Sequence, residues 1–162
     1  LTFEARVKYS EANTDDANIL IGLEDAPGAD SLQDDGAGPK ASYSGFNFHK
    51  VDGGTAWNFE SSIGSTQTTT EIDGVTPGGN AYQTFRVEVL PVSSTRMELI
   101  PYIDSAGGSN LKQCLDTNGN PIKHVVTLGS PTEMAVVLGV KAGGGNNETL
   151  DIDYVEVLQT RT

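Results

Sequence analysis

Apolar and polar residues alternate along much of this chain. In the stretch Phe85-Arg86-Val87-Glu88-Val89 the odd positions are apolar and the even positions are charged. Successive side chains of a strand point to opposite faces of a sheet, so this period of two predicts strands with one buried and one wet face. No stretch of ten or more residues carries a helical apolar stripe between plausible caps.

Glycine and proline divide the chain into short segments rich in β-branched and aromatic residues, with 19 glycines and seven prolines in 162 residues. This many strands predicts an all-β fold, a two-sheet antiparallel β-sandwich, as a single domain over residues 1–162. The predicted strands are Thr2–Tyr9, Asn18–Leu23, Tyr43–His49, Thr55–Ser61, Gln67–Ile72, Tyr82–Leu90, Met97–Ile103, Lys123–Leu128, Glu133–Val140 and Thr149–Leu158.

Two segments stand apart from this pattern. The loop Glu24–Ala41 is acidic and rich in glycine and proline, and it is long enough to be a functional or mobile loop rather than a tight turn. The chain also opens on Leu1 rather than on an initiator methionine, and it enters a strand at once. We therefore expect an upstream N-terminal segment to be missing.

Charge narrows the possible partners. The formal net charge is −12, with only ten lysines and arginines scattered along the chain. Phosphate contacts need clustered cations, so we expect neither nucleic acid nor an anionic membrane as a partner. No apolar run approaches the roughly 20 residues that a transmembrane helix needs.

The residues that most often carry chemistry are isolated here. Cys114 is the only cysteine, which excludes an internal disulfide, and no histidine or other base stands beside it in the sequence. We expect a small half-buried residue there, because a reactive thiol needs an electropositive setting. His49 and His124 are far apart, which argues against a zinc site.

The stretch Asp116–Asn120 resembles the start of a calcium loop. Such a loop needs Gly at its sixth position and Glu at its twelfth, and this chain has Pro121 and Thr127 there. Asn-Gly is also the strongest hairpin-turn dipeptide, so we predict a plain turn. We expect no metal, no cofactor and no catalytic residue in this chain.

Two further patterns have alternative interpretations. Trp57 alternates with Phe59, and such a pair either packs in a core or stacks on a sugar. We favour the core. Asn147-Glu148-Thr149 is an N-glycosylation sequon, which matters only if the host glycosylates secreted proteins.

Three carboxylates lie close together near the C-terminus, in Leu150–Val157. Asp151, Asp153 and Glu156 have the spacing of the Glu-Ile-Asp-x-x-Glu motif of laminarinase-like glycoside hydrolases. In a regular strand Asp151 and Asp153 share one face and Glu156 takes the other, unless a bulge resets the phase. The first carboxylate is also Asp instead of Glu, and the strand is the last of the chain. We therefore predict a structural strand.

Several stretches together resemble a concanavalin A-like, laminin-G-type jelly-roll protein of tailed bacteriophage particles. The resemblance spans nearly the whole chain. The stretches are Phe3–Lys8, Ile19–Leu23, Gly45–Thr55, Pro101–Asp104, Asn120–His124, Glu133–Lys141, Asn146–Leu150 and Asp153-Tyr154.

The resemblance implies a non-enzymatic virion structural protein, a capsid decoration or cement protein on the particle exterior. Its partners would be the major capsid protein and copies of itself, as a homo-oligomer for which a trimer would suit a symmetry axis of the shell. In this fold the first and last strands usually pair. Two alternatives stay open, namely a carbohydrate-binding lectin-like module for attachment to a host or surface, and a glycoside hydrolase.

Overall fold

The computed structural model describes residues 1–11, 15–34, 36–78, 80–104, 110–127 and 133–159. These residues form two antiparallel sheets packed face to face, which confirms the predicted all-β sandwich. The strands are β1 (Thr2–Ser10), β2 (Ala17–Glu24), β3 (Gly45–Lys50), β4 (Asn58–Ile63), β5 (Thr66–Glu71), β6 (Gln83–Pro91), β7 (Arg96–Asp104), β8 (Lys112–Gln113), β9 (His124–Thr127), β10 (Ala135–Ala142) and β11 (Thr149–Leu158).

The first and last strands are neighbours in the six-stranded sheet. The six-stranded sheet has the order β11-β1-β6-β7, and β8 and β9 both pair with the other side of β7. The five-stranded sheet has the order β10-β2-β3-β4-β5. Within the described residues, each predicted strand corresponds to an observed one, with bounds moved by a few residues; Leu128, the predicted end of one strand, lies outside them. Only β8 was missed, because two residues are too few to show alternation.

The space between the sheets is filled by a cluster of aromatic rings. Phe85 lies at its centre, 4.8 Å from Trp57 and 5.2 Å from Phe48 between ring centroids. Trp57 is fully buried, and its indole N–H donates to Oε1 of Gln83 at 3.2 Å. Trp57 and Phe59 are therefore core residues, which confirms the favoured interpretation of that pair.

The acidic loop after β2 is packed onto the outer face of the five-stranded sheet. All residues of β2 and β3 are buried, although only every second one faces the core. The loop contains a short 3₁₀ turn, Ala29–Ser31, followed by Leu32, which is only 3% exposed. Leu32 lies close to Gly139 of β10, on the side of the sheet away from the core. The loop thus serves as a cover over β2 and β10.

Apart from that 3₁₀ turn, the described ranges are strands and irregular connections. They include no helix with the length and apolar character needed to cross a membrane.

Candidate functional site

The carboxylates of β11 lie on a strand that closes the six-stranded sheet against β1. The register changes between Arg6 and Val7 of β1, where Asp153 is the extra residue of a β-bulge in β11. Asp151 is opposite Lys8 and Glu156 is opposite Glu4, so both point away from the core. The parity expected for a regular strand is therefore wrong here, because the bulge brings Asp151 and Glu156 onto one face.

Side chains on this face of β11 contact two cations and a carboxylate of the neighbouring strand β1. Nζ of Lys8 lies 3.0 Å from Oδ2 of Asp151, and Arg6 forms an ion pair with Asp153. The hydrogen bond to Asp151 raises the pKa of Lys8. Tyr154 donates its hydroxyl hydrogen to Glu4. We call these three cross-strand contacts the β11 ladder, and two of the three carboxylates of the sequence motif are members of it.

The ladder continues into a face that carries three tyrosines. Glu4 also accepts hydrogen bonds from Arg86 of β6, and Tyr102 of β7 lies opposite Arg86. The guanidinium carbon of Arg6 lies 4.6 Å from the ring centroid of Tyr82, a cation–π contact. We call the surface formed by Tyr82, Tyr102 and Tyr154 the tyrosine face. Sequence reasoning missed it, because Tyr154 of β11 joins Tyr82 and Tyr102 only when the last strand pairs with β1.

Burial and nearby carboxylates raise the pKa of two of these tyrosine hydroxyls. Desolvation raises the pKa of Tyr154, and its hydrogen bond to Glu4 raises it further. Desolvation and the charge of Glu88 raise the pKa of Tyr102, whose hydroxyl donates to Glu88 at 3.3 Å. Both hydroxyls are therefore neutral donors at ordinary pH.

A second cluster of polar side chains lies on the outer face of the five-stranded sheet. Nδ1 of His49 is 2.9 Å from Oδ1 of Asn47, whose amide donates to the hydroxyl of Tyr43 at 2.7 Å. Tyr43 donates to Oε1 of Glu60 at 2.9 Å, and Gln67 donates to the same oxygen. Burial raises the pKa of Tyr43 and lowers that of His49 to about 4. The cluster is a continuous hydrogen-bonded chain.

Sequence reasoning did not single out this cluster, although Asn47 and His49 alternate with Phe46 and Phe48. The alternation gave no sign of their burial, because the partners Tyr43 and Glu60 come from a loop and from another strand.

The two histidines lie on opposite sides of the five-stranded sheet. His124 of β9 faces the space between the sheets, where its Nδ1 lies 2.9 Å from Oγ of Ser61 and its Nε2 lies 3.0 Å from Oγ1 of Thr70. Its ring packs on Phe59 at 4.8 Å. Burial lowers the pKa of His124 to about 4, so the ring is neutral at physiological pH. Each histidine therefore serves the packing of its own layer.

The remaining candidate residues also have structural surroundings. Cys114 is more buried than expected, at 3% exposure, and burial raises the pKa of its thiol to about 12. Oδ1 of Asp116 accepts the backbone N–H groups of Asn118 and Asn120, and these bonds lower the pKa of the Asp116 carboxyl. Gly119 sits at φ +81°, in a plain turn as predicted.

Metal ligation finds no support in the described ranges. Within them, no group of three or more His, Cys, Asp and Glu side chains is arranged to hold an ion. Asn147 of the sequon is exposed on the connection between β10 and β11.

We expect acid to destabilise the fold through the two histidines. Each has a folded pKa of about 4 against an ordinary value of 6.5, so the unfolded chain binds more protons between these pH values. From pH 7 to pH 5 each buried ring should lower the free energy of unfolding by about 2 kcal/mol. Urea unfolding at both pH values measures this loss. His124→Gln should remove about half of it, whereas an equal loss in the variant would contradict the assignment to His124.

We expect no glycanase activity from the β11 carboxylates, because Asp151 and Asp153 are held by Lys8 and Arg6. Purified chain incubated with β-1,3-glucan, β-1,4-glucan and agarose should release no new reducing ends. Glu156→Gln serves as the matched variant, since it keeps the size of the side chain and removes its charge. Turnover that this folded variant lacks would contradict the expectation.

Comparison of the chain with protein-family models, with curated proteins and with solved structures finds no significant match. Function is therefore inferred from the residues and their geometry.

Proposed function

We propose that this chain is a non-enzymatic structural protein of a virion, a decoration protein on the exterior of a tailed-phage capsid with a concanavalin A-like jelly roll. The resemblance of its stretches to such proteins extends over nearly the whole sequence. Two antiparallel sheets with paired first and last strands are the architecture that this resemblance implies. The major capsid protein and copies of the chain itself are the proposed partners.

The ion pairs of the β11 carboxylates are the observation that favours a structural role over catalysis. A glycosidase would need one free nucleophile and one free proton donor. Here Asp151 forms an ion pair with Lys8 and Asp153 forms one with Arg6, and both contacts tie the last strand to the first. The bulge does bring Asp151 and Glu156, the two catalytic positions of the enzyme motif, onto one face, but on that face Asp151 is paired with Lys8 and Tyr154 is bonded to Glu4.

A rigid sandwich suits a protein that must keep its shape on a particle surface. The aromatic core binds the two sheets together, and the cover formed by the acidic loop adds a third layer outside the five-stranded sheet. A net charge of −12 makes free copies repel one another at low salt. Contacts that are weak singly become stable when many copies bind one lattice.

The test is to look for the chain on purified particles of the phage that encodes it. Mass spectrometry should detect it in particles banded by density, and cryo-electron microscopy should show the sandwich outside the shell in symmetric copies. Particles from a deletion mutant provide the control, and adding the purified protein back should restore the density. A chain absent from wild-type particles, or one unable to rebind, would contradict the proposal.

The tyrosine face favours a carbohydrate-binding module as a second candidate. Tyr82 and Tyr102 are half-buried rings beside Arg6, Arg86 and Glu88, a mixture of flat apolar surfaces and hydrogen-bonding groups that suits a sugar ring. A glycan array followed by calorimetry tests this candidate. Any affinity found should fall about tenfold in Tyr102→Ala, as expected from the loss of one stacking ring.

Val92→Ala is the control for that measurement, because Val92 is 52% exposed and lies outside the tyrosine face. Unchanged affinity in Tyr102→Ala and Tyr82→Ala would contradict a glycan site on the tyrosine face.

A further inference from the structure

Strand β10 forms one edge of the five-stranded sheet, and in the described part of the chain it pairs only with β2. Natural edge strands usually carry charges, proline or a bulge, which prevent pairing with another chain. The edge strand β11 of the other sheet carries such protection in Asp151, Glu156 and its bulge. From Met134 to Val140 there is no charge and no proline, and the one charge of β10, Lys141, lies next to its last residue. We call the stretch from Met134 to Val140 the unprotected edge.

Solvent reaches the interior layer of the sandwich along this side. Val136 lies opposite Leu23, Ile152 lies opposite Val7, and Val157 lies opposite Phe3, so all three point between the sheets. Their exposed fractions are nevertheless 42% for Val136, 52% for Ile152 and 42% for Val157. We call these three residues the apolar rim. It lies beside the unprotected edge, where the core lacks a covering layer.

We propose that a second copy of the chain covers this side by pairing its own β10 antiparallel with the first, across a two-fold axis perpendicular to the sheet. This inference refines the self-association part of the proposed function, and it replaces the expected trimer with a two-fold dimer. It requires no contact with a shell.

Symmetry and charge select the register of the pair. A two-fold axis perpendicular to the sheet places residues of the same face opposite each other. With the axis at Val137, Val136 of one copy faces Leu138 of the other, and the two apolar rims form one layer. The same register places Glu133 opposite Lys141 at both ends of the strand pair.

Glu133, two residues before β10, and Lys141, near the end of β10, are thus complementary in charge to the same residues of a second copy. Lys141 already forms an ion pair with Asp34 at 2.7 Å, on the outer face of the sheet. In the dimer it would lie between Asp34 and Glu133 of the second copy. An apolar strand with one anion at its start and one cation at its end fits its own antiparallel copy, since each end then meets the opposite charge.

Sedimentation equilibrium of the purified chain over a concentration series tests the dimer directly, in the absence of particles. We expect a monomer–dimer equilibrium that added salt strengthens, because each copy carries a net charge of −12 and salt screens the repulsion. Val136→Lys should weaken the dimer at least about tenfold, since it places a charge in the shared apolar layer.

Val125→Lys is the matched control for that substitution. Val125 is also a strand valine, 44% exposed, but it lies on β9 in the other sheet. Circular dichroism checks that both variants fold. A monomer at every concentration, a trimer, or a dimer equally weakened by both substitutions would overturn the proposal.

A charge exchange tests the register. Glu133→Lys and Lys141→Glu should each weaken the dimer, by about two- to fivefold, as expected for an exposed ion pair. The double variant should recover part of the affinity, because the pair between the copies is re-formed with opposite signs, while Lys141→Glu leaves a like charge beside Asp34. If the double variant is weaker than either single variant, the proposed pairing is wrong. Particle binding is measured separately, so a failure of the dimer and a failure of capsid decoration give different results.

Discussion

The pairing of β11 with β1 is the interaction on which the rest of the sandwich depends. β1 lies between β6 and β11, and its inward residues Phe3, Val7 and Tyr9 are buried only when both neighbours are in place. The contact joins residues at opposite ends of the chain, so its formation carries the entropy cost of closing a long loop. The β11 ladder adds cross-strand charge pairs to this one contact, so Asp151 and Asp153 are used within the sheet.

Polar groups in this protein mostly bind one another. On the outer face of the five-stranded sheet a hydrogen-bonded chain runs from His49 through Asn47 and Tyr43 to Glu60. All four side chains are buried. Between the sheets, His124 is held by two hydroxyls. A buried polar group without a partner is costly, so such networks favour one arrangement of the loops over others. They also make neutral histidines part of the fold, which links its stability to pH.

The edge strands β11 and β10, one in each sheet, carry different side chains. The β11 strand is charged and bulged, whereas β10 is apolar and regular next to an open layer of the core. A protein selected only as a soluble monomer gains little from leaving β10 in that state. The proposed self-pairing and glycan binding would use different surfaces, namely β10 and the tyrosine face, whereas the proposed capsid decoration involves the exterior as a whole.

The sequence by itself determined the class of fold and most of the strands, because a period of two and glycine punctuation are local properties that survive in any two-sheet arrangement. It also identified Asp116–Asn120 as a turn, since Asn-Gly dictates its own backbone. Only the tertiary structure decided the face of Glu156, because a bulge depends on the partner strand Thr2–Ser10 as well as on β11. The partners of His49 and the tyrosine face were equally hidden, since their members meet only when distant strands pair.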